Sequence, residues 1–330
     1  MNMPPVPSVT VGHFTDAVPP RTVDNVELCA TLDTDDQWIE ERTGIRSRRF
    51  LDSALAASDL ALDAARKTLR SSGSVAADID AIVLATANPD QPFPSTALTV
   101  AHGLGAARAV PIDLTAAACS GGLLAIEVAS SMIGPRYRTV LVLAVEVFSR
   151  QTDPNDRTTR IFFGDAAGAA VVTAAPASGR GIRSVVLSSE LDMSVGIRAG
   201  GSRHPVDADS VGRGEQYIYM DGPRVWTLAT TLLPEVVRQA VSDAGMSLSD
   251  IDNFCFHQAN RNIVHDVMDT LEIERSRAPI TLDRLGNTGA ASIFTVLAYL
   301  EREGRTLPGR TTVIATIGAG FIWGAMVVVH

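Results

Sequence analysis

Cysteine is scarce in this sequence, and the few cysteines present form no recognisable disulfide or metal-binding pattern. The 330 residues contain only Cys29, Cys119 and Cys255, which lie far apart and include no CxxC pair. An odd, sparse set of this kind disfavours a disulfide framework and a cysteine-rich zinc site. A reduced, cytoplasmic protein without a metal site is therefore the first expectation.

Long apolar runs, a basic leader and an excess of positive charge are also missing. No apolar run reaches the roughly 18 residues of a membrane-spanning helix. The first residues, MNMPPVPSVTV, show no basic region followed by an apolar core, so we expect no secretory signal. The formal net charge of −9 disfavours nucleic acid, whose binding depends on lysine and arginine meeting phosphates. We expect a folded protein that binds neither nucleic acid nor membrane.

Short apolar runs alternate with longer helical patterns along the chain. The runs 81–87, 139–148, 168–174, 311–317 and 324–330 predict buried strands, and the patterns 53–73 and 224–245 predict helices that end at glycine. This alternation predicts an α/β fold with largely buried sheets. The Gly-, Ser- and Arg-rich stretch 176–222 is expected to link two halves and to form surface loops.

An internal repeat supports the division into two halves. When the chain is shifted by 172 residues, segment 63–88 aligns with segment 235–260 without a gap, and both contain a DID triplet before a buried strand. After a change of four residues in the offset, VPIDLTAAACSGG (110–122) aligns with APITLDRLGNTGA (278–290). Cys119 then corresponds to Asn287. If the copies pack about a pseudo-twofold axis, these two residues converge.

The setting of Cys119 is compatible with a nucleophile and also with a small apolar core residue. It directly precedes a predicted helix, whose free N–H groups and dipole favour a thiolate. Gly121 and Gly122 are expected to let a substrate approach the backbone. Free cysteine is nevertheless among the most buried residue types, so the local sequence leaves both interpretations open.

Two polar residues on the predicted converging loops complete a candidate site. His257 follows the apolar strand NFCF, and the carboxyl end of a strand is where ligands meet open α/β sheets. Asn287 begins a predicted helix, where it also suits an N-cap. Cysteine, histidine and asparagine together suit acyl transfer through a thioester. The papain-type sequence around a catalytic cysteine is absent.

A glycine-rich segment near the C-terminal end could be mistaken for a dinucleotide-binding loop. A dinucleotide loop follows a strand and opens a helix, whereas IGAGFIWG (317–324) leads into another strand-like run. We reject a dinucleotide site. Backbone N–H groups of this turn are instead suited to an oxyanion.

Seven motifs in a fixed order make the chain resemble the β-ketoacyl-acyl carrier protein synthase III group of thiolase-fold condensing enzymes over nearly its whole length. They are DDQWIEERTGIRSRR (35–49), AAACSGG (116–122), DPNDR (153–157), FGDAAGAAVV (163–172), HQAN (257–260), GNTGAAS (286–292) and GAGFIWG (318–324). Segment 199–222 looks more like the branch of acetoacetyl-coenzyme A synthases. The resemblance implies a homodimer with an αβαβα layered fold made of two duplicated halves, residues 1–176 and 177–330.

The same resemblance implies roles for individual residues. Cys119 would carry the acyl group, and His257 and Asn287 would hold the carbonyl oxygen of a malonyl thioester while carbon dioxide leaves. The enolate would then attack the acyl-cysteine, with no cofactor. Further roles are implied for backbone N–H groups at the oxyanion (Cys119, Ala319), for coenzyme A contacts (Trp38, Arg42, Arg157, Asn260) and for the acyl pocket (Phe93, Phe148, Ile317).

Three departures from the family pattern carry expectations of their own. Ala319 replaces the central glycine of the usual triplet, which would be costly at positive φ. Ile317 stands where phenylalanine is frequent, which implies a different pocket gate. The helix after HQAN carries Asp266, Asp269 and Glu272, which would repel an acidic carrier protein, so coenzyme A thioesters are expected as substrates.

The sequence leaves two other functions open beside decarboxylative condensation of a short acyl-coenzyme A starter with malonyl-coenzyme A or malonyl-acyl carrier protein. One is an acyltransferase on the same fold that moves an acyl group to a hydroxyl, an amine or a carrier protein. The other is a silent scaffold, against which the intact Cys119, His257 and Asn287 argue. The sequence identifies neither the starter nor the pathway.

Overall fold

The computed structural model of this protein describes residues 8–115, 118–175 and 179–330. Its strands are β1 (Val9–Ala17), β2 (Thr22–Asp24), β3 (Ser47–Arg49), β4 (Ala81–Ala85), β5 (Val110–Leu114), β6 (Thr139–Val147), β7 (Asp165–Ala174), β8 (Gly181–Asp192), β9 (Val195–Ile197), β10 (Ile218–Met220), β11 (Asn253–Phe256), β12 (Thr311–Gly318) and β13 (Gly320–Val329). Its α-helices are α1 (Asn25–Cys29), α2 (Asp36–Thr43), α3 (Ala57–Ser72), α4 (Thr96–Leu104), α5 (Gly121–Met132), α6 (Arg157–Arg160), α7 (Ala208–Gly212), α8 (Gly222–Asp243), α9 (Arg261–Thr270), α10 (Leu282–Leu285) and α11 (Ser292–Arg302).

Two large sheets share one topology. The first has the order β1-β7-β6-β4-β5 and the second the order β8-β13-β12-β11. In each sheet the first three strands pair antiparallel and the next pair is parallel. Only β5, which pairs parallel with β4, lacks a counterpart among the described strands of the second sheet. The topology therefore repeats the relation that the sequence shift predicts.

Alternating side chains on the strands separate three apolar layers. Ile82 and Leu84 of β4 pack with α3 and α4 on the outer face of the first sheet, whereas Val83 and Ala85 pack with α5 and α11. Ile314 of β12 joins the same central cluster, and Val313 faces α8 and α9. Helices thus lie outside, between and outside the two sheets, which confirms the predicted αβαβα layers. Each fully buried aliphatic side chain of these layers contributes about 1.5–3 kcal/mol.

The local structure of the repeat is also confirmed. Single 3₁₀ turns at Ala76–Asp78 and Leu248–Asp250, separated by 172 residues, follow α3 and α8 and lead into β4 and β11. Gly73 and Gly245, which follow these helices, have φ of 69° and 70°, a conformation that favours glycine. The amphipathic helices and their glycine stops were therefore readable from the sequence.

The description of residues 176–222 as a linker with surface loops is incomplete. This segment contains the twelve residues of β8, which pair with β13 along nearly the whole strand. The strand escapes a sequence search because it lies at a sheet edge and its second half is exposed and polar. The predicted boundary between residues 176 and 177 lies outside the described residues, so the division into domains stays a prediction.

Candidate active site

Cys119 lies where the chain turns from β5 into the helix α5. It occupies a 3₁₀ turn, Ala118–Ser120, directly before the first residue of α5. Ala118 has a φ of 39°, a rare conformation for a residue with a side chain. The turn places the cysteine at the N-terminal end of a twelve-residue helix, as predicted. Residues 116 and 117 of the AAACSGG motif lie outside the described residues.

Gly121 and Gly122 serve packing between the halves, and the expectation that they admit substrate is wrong. A Cβ on Gly122 would lie 2.4 Å from the carbonyl oxygen of Ala290, and a Cβ on Gly121 would lie 3.2 Å from the Ala290 side chain. Both glycines therefore let α5 lie against the turn that follows Asn287. This close approach brings the loop of Cys119 to the loop of its sequence counterpart.

Asn287 is fixed by backbone bonds to the first half of the chain. Its N–H donates to the carbonyl oxygen of Phe162 at 2.7 Å, and its own carbonyl accepts from the N–H of Gly164 at 3.0 Å. Its side-chain Oδ1 accepts from the N–H of Gly289 at 2.9 Å. This bond leaves the Nδ2 amide of Asn287 to donate elsewhere, and the Asn287 side chain acts to lower the pKa of the Cys119 thiol. The loops of Cys119 and Asn287 converge as predicted, because Gly121 and Gly122 pack against Ala290.

Burial keeps the Cys119 thiol uncharged near pH 7. Part of the residue reaches the surface, but the packing around the sulfur raises its pKa to about 12, and the nearby Glu146 carboxyl acts in the same direction. The Asn287 side chain and the backbone N–H of Cys119 itself oppose this rise, and burial outweighs them.

His257 follows β11 and lies almost fully buried between the sheet and α11. Its N–H donates to the carbonyl oxygen of Ala315 at 2.9 Å, and its ring Nδ1 lies 2.6 Å from the Oγ of Ser292. Burial lowers the pKa of His257 to about 4, so the imidazole is neutral near pH 7. The histidine is therefore suited to donate a hydrogen bond rather than to act as a cation.

Glu146 is a functional candidate that the sequence analysis missed. Its carboxyl group accepts from the N–H of Ala87 at 3.2 and 3.1 Å. Its Cγ would lie 2.8 Å from a Cβ on Gly289, so Glu146 packs against the loop of Asn287 in the other half. Burial raises its pKa well above the usual value. The available signal was a single acidic residue in the otherwise apolar run TVLVLAVEVF, since a buried carboxyl requires specific partners.

Phe148 and Phe163 form an aromatic wall beside the loop of Asn287. Their rings pack edge to face with centroids 5.2 Å apart, and a Cβ on Gly289 would lie 2.4 Å from Phe148. Phe163 also forms an isolated β-bridge with Asn287. Phe148 thus lies at the site, as predicted, whereas Phe163 was missed although it begins the quoted FGDAAGAAVV motif.

The other two predicted pocket residues lie elsewhere in the single chain. Ile317 packs in the apolar cluster beneath α8 and α9, on the face of β12 that points away from α5. Phe93 is 84% exposed in the loop before α4. Neither is placed beside Cys119 by the contacts described, so their roles in an acyl pocket stay predictions.

The predicted coenzyme A residues do lie together. The guanidinium groups of Arg42 and Arg157 lie 6.0 and 5.4 Å from the centre of the Trp38 ring. Asn260 caps α9 by accepting from the N–H of Asn262 at 2.8 Å, and its amide donates to the carbonyl oxygen of Arg42 at 3.0 Å. Asn260 therefore ties α2 to α9, a structural role that the sequence analysis did not foresee.

The glycine-rich turn accommodates Ala319 without the expected strain. The turn joins β12 to β13, and positive φ occurs at Gly320, with 121°, and not at Ala319. The Oγ of Ser120 donates to the carbonyl oxygen of Ile322 at 2.7 Å. This bond fixes the turn against the loop of Cys119, so the backbone N–H groups of both loops share one region.

No helix in the described part of the chain is long and apolar enough to cross a membrane. Among the same residues, no group of three or more histidine, cysteine, aspartate or glutamate side chains could hold a metal ion.

The sequence of this chain matches one family of known proteins. Residues 112–191 match the family model described as 3-oxoacyl-[acyl-carrier-protein (ACP)] synthase III, and residues 241–330 match the model of its C-terminal part. The chain is 41% identical to a β-ketoacyl-[acyl-carrier-protein] synthase III of Symbiobacterium thermophilum over 94% of both chains. It is also 41% identical to a protein of that name from Rhizorhabdus wittichii over 94% of this chain and 95% of the relative.

Solved structures give the same result. The structure of 3-oxoacyl-(acyl carrier protein) synthase III from Pseudomonas aeruginosa has a TM-score of 0.88 with 34% identity and covers 98% of each chain. The priming β-ketosynthase of the R1128 polyketide pathway has a TM-score of 0.91 with 30% identity, covering 100% of this chain and 98% of that one.

The duplicated layers and the similarity to these structures define a thiolase-like condensing enzyme. Within this class, the chain belongs to the β-ketoacyl-[acyl-carrier-protein] synthase III family. The similarity to the branch of acetoacetyl-coenzyme A synthases stays a prediction, because the relatives above do not distinguish that branch.

Proposed function

We propose that this protein catalyses a decarboxylative Claisen condensation between a short acyl-coenzyme A starter and a malonyl thioester. The observation that carries the proposal is the close packing of the Cys119 loop against the Asn287 loop across the two halves, where a Cβ on Gly121 would lie 3.2 Å from the side chain of Ala290. The Oδ1 of Asn287 accepts from the N–H of Gly289, which leaves the Nδ2 amide to donate to a substrate oxygen. The thiol is the nucleophile that acyl transfer requires, and the fixed amide is a donor that enolate formation requires.

The first step transfers the acyl group to the cysteine. The Sγ of Cys119 attacks the thioester carbonyl, and the backbone N–H groups of Cys119 and Ala319 stabilise the oxyanion. The thioester C–S bond breaks, and coenzyme A takes up the proton of the Cys119 thiol and leaves as a free thiol. Each such donor typically contributes about 3–4 kcal/mol to the lowering of the barrier. The thiolate exists only transiently, because burial favours the neutral thiol.

The second step uses the two neutral donors. The malonyl carboxylate leaves as carbon dioxide, and the electron pair passes into an enolate. Its oxygen receives hydrogen bonds from the Nδ2–H of Asn287 and from His257. The enolate carbon then attacks the acyl-cysteine, and the Cys119 sulfur leaves as a thiolate and takes up a proton from solvent. Neutral donors suit this step because no counter-charge has to be desolvated.

The surface around the site supports coenzyme A as the carrier of the substrates. Trp38 between Arg42 and Arg157 offers a planar platform and cations for a nucleotide with phosphates. On α9, Asp266 and Asp269 are exposed, and only the latter pairs with a cation, at 3.0 Å from Arg275, among the residues that the structure describes. The names of the relatives specify an acyl carrier protein, so the extender carrier is the finer part of this proposal.

The proposal includes a homodimer in the cytoplasm, where acyl-coenzyme A is available. In the first sheet β5 is an edge strand that pairs only with β4 among the described strands. Phe93 and Leu191 are each 84% exposed, which is unusual for large apolar side chains in a lone chain. An open edge and exposed apolar residues support pairing with a second copy.

Intact-protein mass spectrometry with a panel of acyl-coenzyme A donors tests the proposal. One acyl group should load on Cys119, and adding malonyl-coenzyme A should then remove it and release one carbon dioxide per product. Malonyl-acyl carrier protein is the parallel extender, and faster use of it would contradict the preference for coenzyme A. Acyl release to an amine or hydroxyl without carbon dioxide would establish the acyltransferase instead. Failure to load any donor would overturn both.

A further inference from the structure

His257 makes a short contact that the proposed mechanism has not used. Its Nδ1 lies 2.6 Å from the Oγ of Ser292, and both side chains are buried. Ser292 is the first residue of α11 and lies five positions after Asn287. The Nε2 of His257 forms no hydrogen bond with any residue in the described ranges. One ring nitrogen is therefore held by protein, and the other is available to the site.

The hydrogen-bond partners of Ser292 determine which ring nitrogen of His257 carries the proton. The Ser292 Oγ already accepts from the backbone N–H of Gln258 at 3.4 Å. Among the residues that the structure describes, the only acceptor within reach of its own O–H is the Nδ1 of His257. A proton on Nδ1 would leave the serine hydrogen buried without an acceptor, which is unfavourable. The favoured arrangement has the serine donating to Nδ1 and the proton on Nε2.

We propose that Ser292 is a positioning residue that holds His257 in the tautomer with its proton on Nε2. The proposal rests on the proposed condensation for its functional meaning, but the tautomer itself is a property of the free protein. With Nε2 protonated, His257 adds a second donor beside the Nδ2 amide of Asn287. With Nδ1 protonated, Nε2 would present a lone pair to the enolate oxygen and repel it.

The tautomer is measured on the wild-type protein by NMR with ¹⁵N-labelled histidine. The His257 signals are assigned by their loss in His257→Asn, and the coupling pattern of the ring identifies the protonated nitrogen. We expect Nε2–H in the wild type and a shift toward Nδ1–H in Ser292→Ala. A wild-type ring protonated on Nδ1 overturns the proposal without any need for the variant to fold.

Kinetics separate positioning from general packing. Ser292→Ala should lower kcat for condensation by about tenfold to a hundredfold, less than loss of a whole donor. Loading of the starter on Cys119 should change by less than about twofold. The matched control is Thr295→Val, which removes a buried hydroxyl that donates to the Ser292 carbonyl at 2.7 Å but does not touch His257. The control should keep both the tautomer and kcat.

The two proposals fail in different ways. If Ser292→Ala condenses at the wild-type rate, the positioning role is wrong and the condensation stands. If the wild type loads an acyl group but never condenses it, the proposed function is wrong, whereas the NMR result still reports the tautomer. Equal losses of loading and condensation in Ser292→Ala would show a structural role and contradict the positioning role.

Discussion

The two halves of the chain build the same strands and helices. They differ in the residue at the carboxyl end of two equivalent strands, β4 and β11. Ala85 ends β4, and 172 positions later His257 follows β11. A Cβ on Gly121 would lie 3.1 Å from the Ala85 side chain, so the first half has no room for a larger residue there. In the second half the ring of His257 reaches Ser292 instead. Duplication thus brings equivalent positions of the two halves together. The different residues at these positions provide the groups of the proposed mechanism.

The halves also differ in the groups that burial keeps neutral. The first half contributes acids, the Cys119 thiol and the Glu146 carboxyl, whose pKa values burial raises. The second half contributes the base His257, whose pKa burial lowers to about 4. The thiol and the imidazole are uncharged near pH 7, and burial favours the neutral form of the Glu146 carboxyl. In the proposed mechanism, the nucleophile therefore comes from one half and the neutral donors from the other.

The largest effect should come from the nucleophile. We expect Cys119→Ser to lower kcat/KM for condensation by at least about 10³-fold, because a hydroxyl is a far weaker nucleophile than a thiol or thiolate. Intact-protein mass spectrometry should show no acyl adduct. Cys29→Ser is the matched control, since Cys29 lies at the end of α1 and packs in the apolar cluster of Val23 and Leu28. An adduct on Cys119→Ser would remove Cys119 from its role.

The second effect should isolate the donors of the other half. Asn287→Ala and His257→Ala should each lower the rate of condensation by about 10²–10³-fold, the usual loss for an oxyanion donor. Loading of the starter should persist, because it needs the thiol and backbone N–H groups. The double variant should lose less than the product of the single losses, since the donors act on one oxygen. Loading and condensation that fall together would contradict this division.

The sequence predicted the positions that local pattern and duplication determine. The helices α3 and α8, their glycine stops and the strands β4 and β11 follow from periodicity, and the offset of 168 residues relates Cys119 to Asn287 by sequence alone. Local sequence could not choose between a packing and a catalytic cysteine. That choice depended on a contact between residues far apart in the chain.

Other features could not be predicted from the sequence because tertiary packing determines them. β8 is a polar edge strand, and its apolar alternation is weak where the second half is exposed. Gly121 and Gly122 looked available to substrate because only the folded chain brings Ala290 against them. Glu146 and Ser292 each bond to residues distant in sequence. No window of sequence contains both partners of such a bond.

A third prediction concerns the packing that joins the halves. We expect Gly122→Ala to lower the free energy of unfolding by about 3 kcal/mol, because its Cβ would lie 2.4 Å from the backbone oxygen of Ala290. Gly12→Ala is the matched control, since a Cβ there meets nothing within 4 Å. Urea denaturation should show a change of less than about 0.5 kcal/mol for the control. Equal effects of the two substitutions would mean that this contact does not hold the halves together.

The smallest expected effect concerns His330, a histidine of the second half that lies outside the site. It tests whether burial of this histidine lowers the free energy of unfolding at low pH, opposite to the effect of the buried acids of the first half. Burial lowers the pKa of His330 to about 4, and its Nε2 lies 2.8 Å from the Oγ1 of Thr312. Below about pH 6.5 the unfolded chain binds a proton that the folded chain refuses until about pH 4. The free energy of unfolding therefore falls as the pH is lowered through this window, by up to about 3 kcal/mol for this residue.

His330→Gln should make the fall between about pH 6.5 and pH 4.5 shallower by about 2 kcal/mol, as measured by urea denaturation at the two pH values. Thr312→Val is the control, because it removes the same hydrogen bond and leaves the titrating ring, so its loss of stability should be similar at both pH values. Burial of Glu146 and Asp165 in the first half acts with the opposite sign, since their raised pKa values favour the folded state at low pH. A fall in the wild type that His330→Gln leaves unchanged would assign the acid sensitivity to other groups, with His257 the first to examine, and would show that burial of His330 does not govern it.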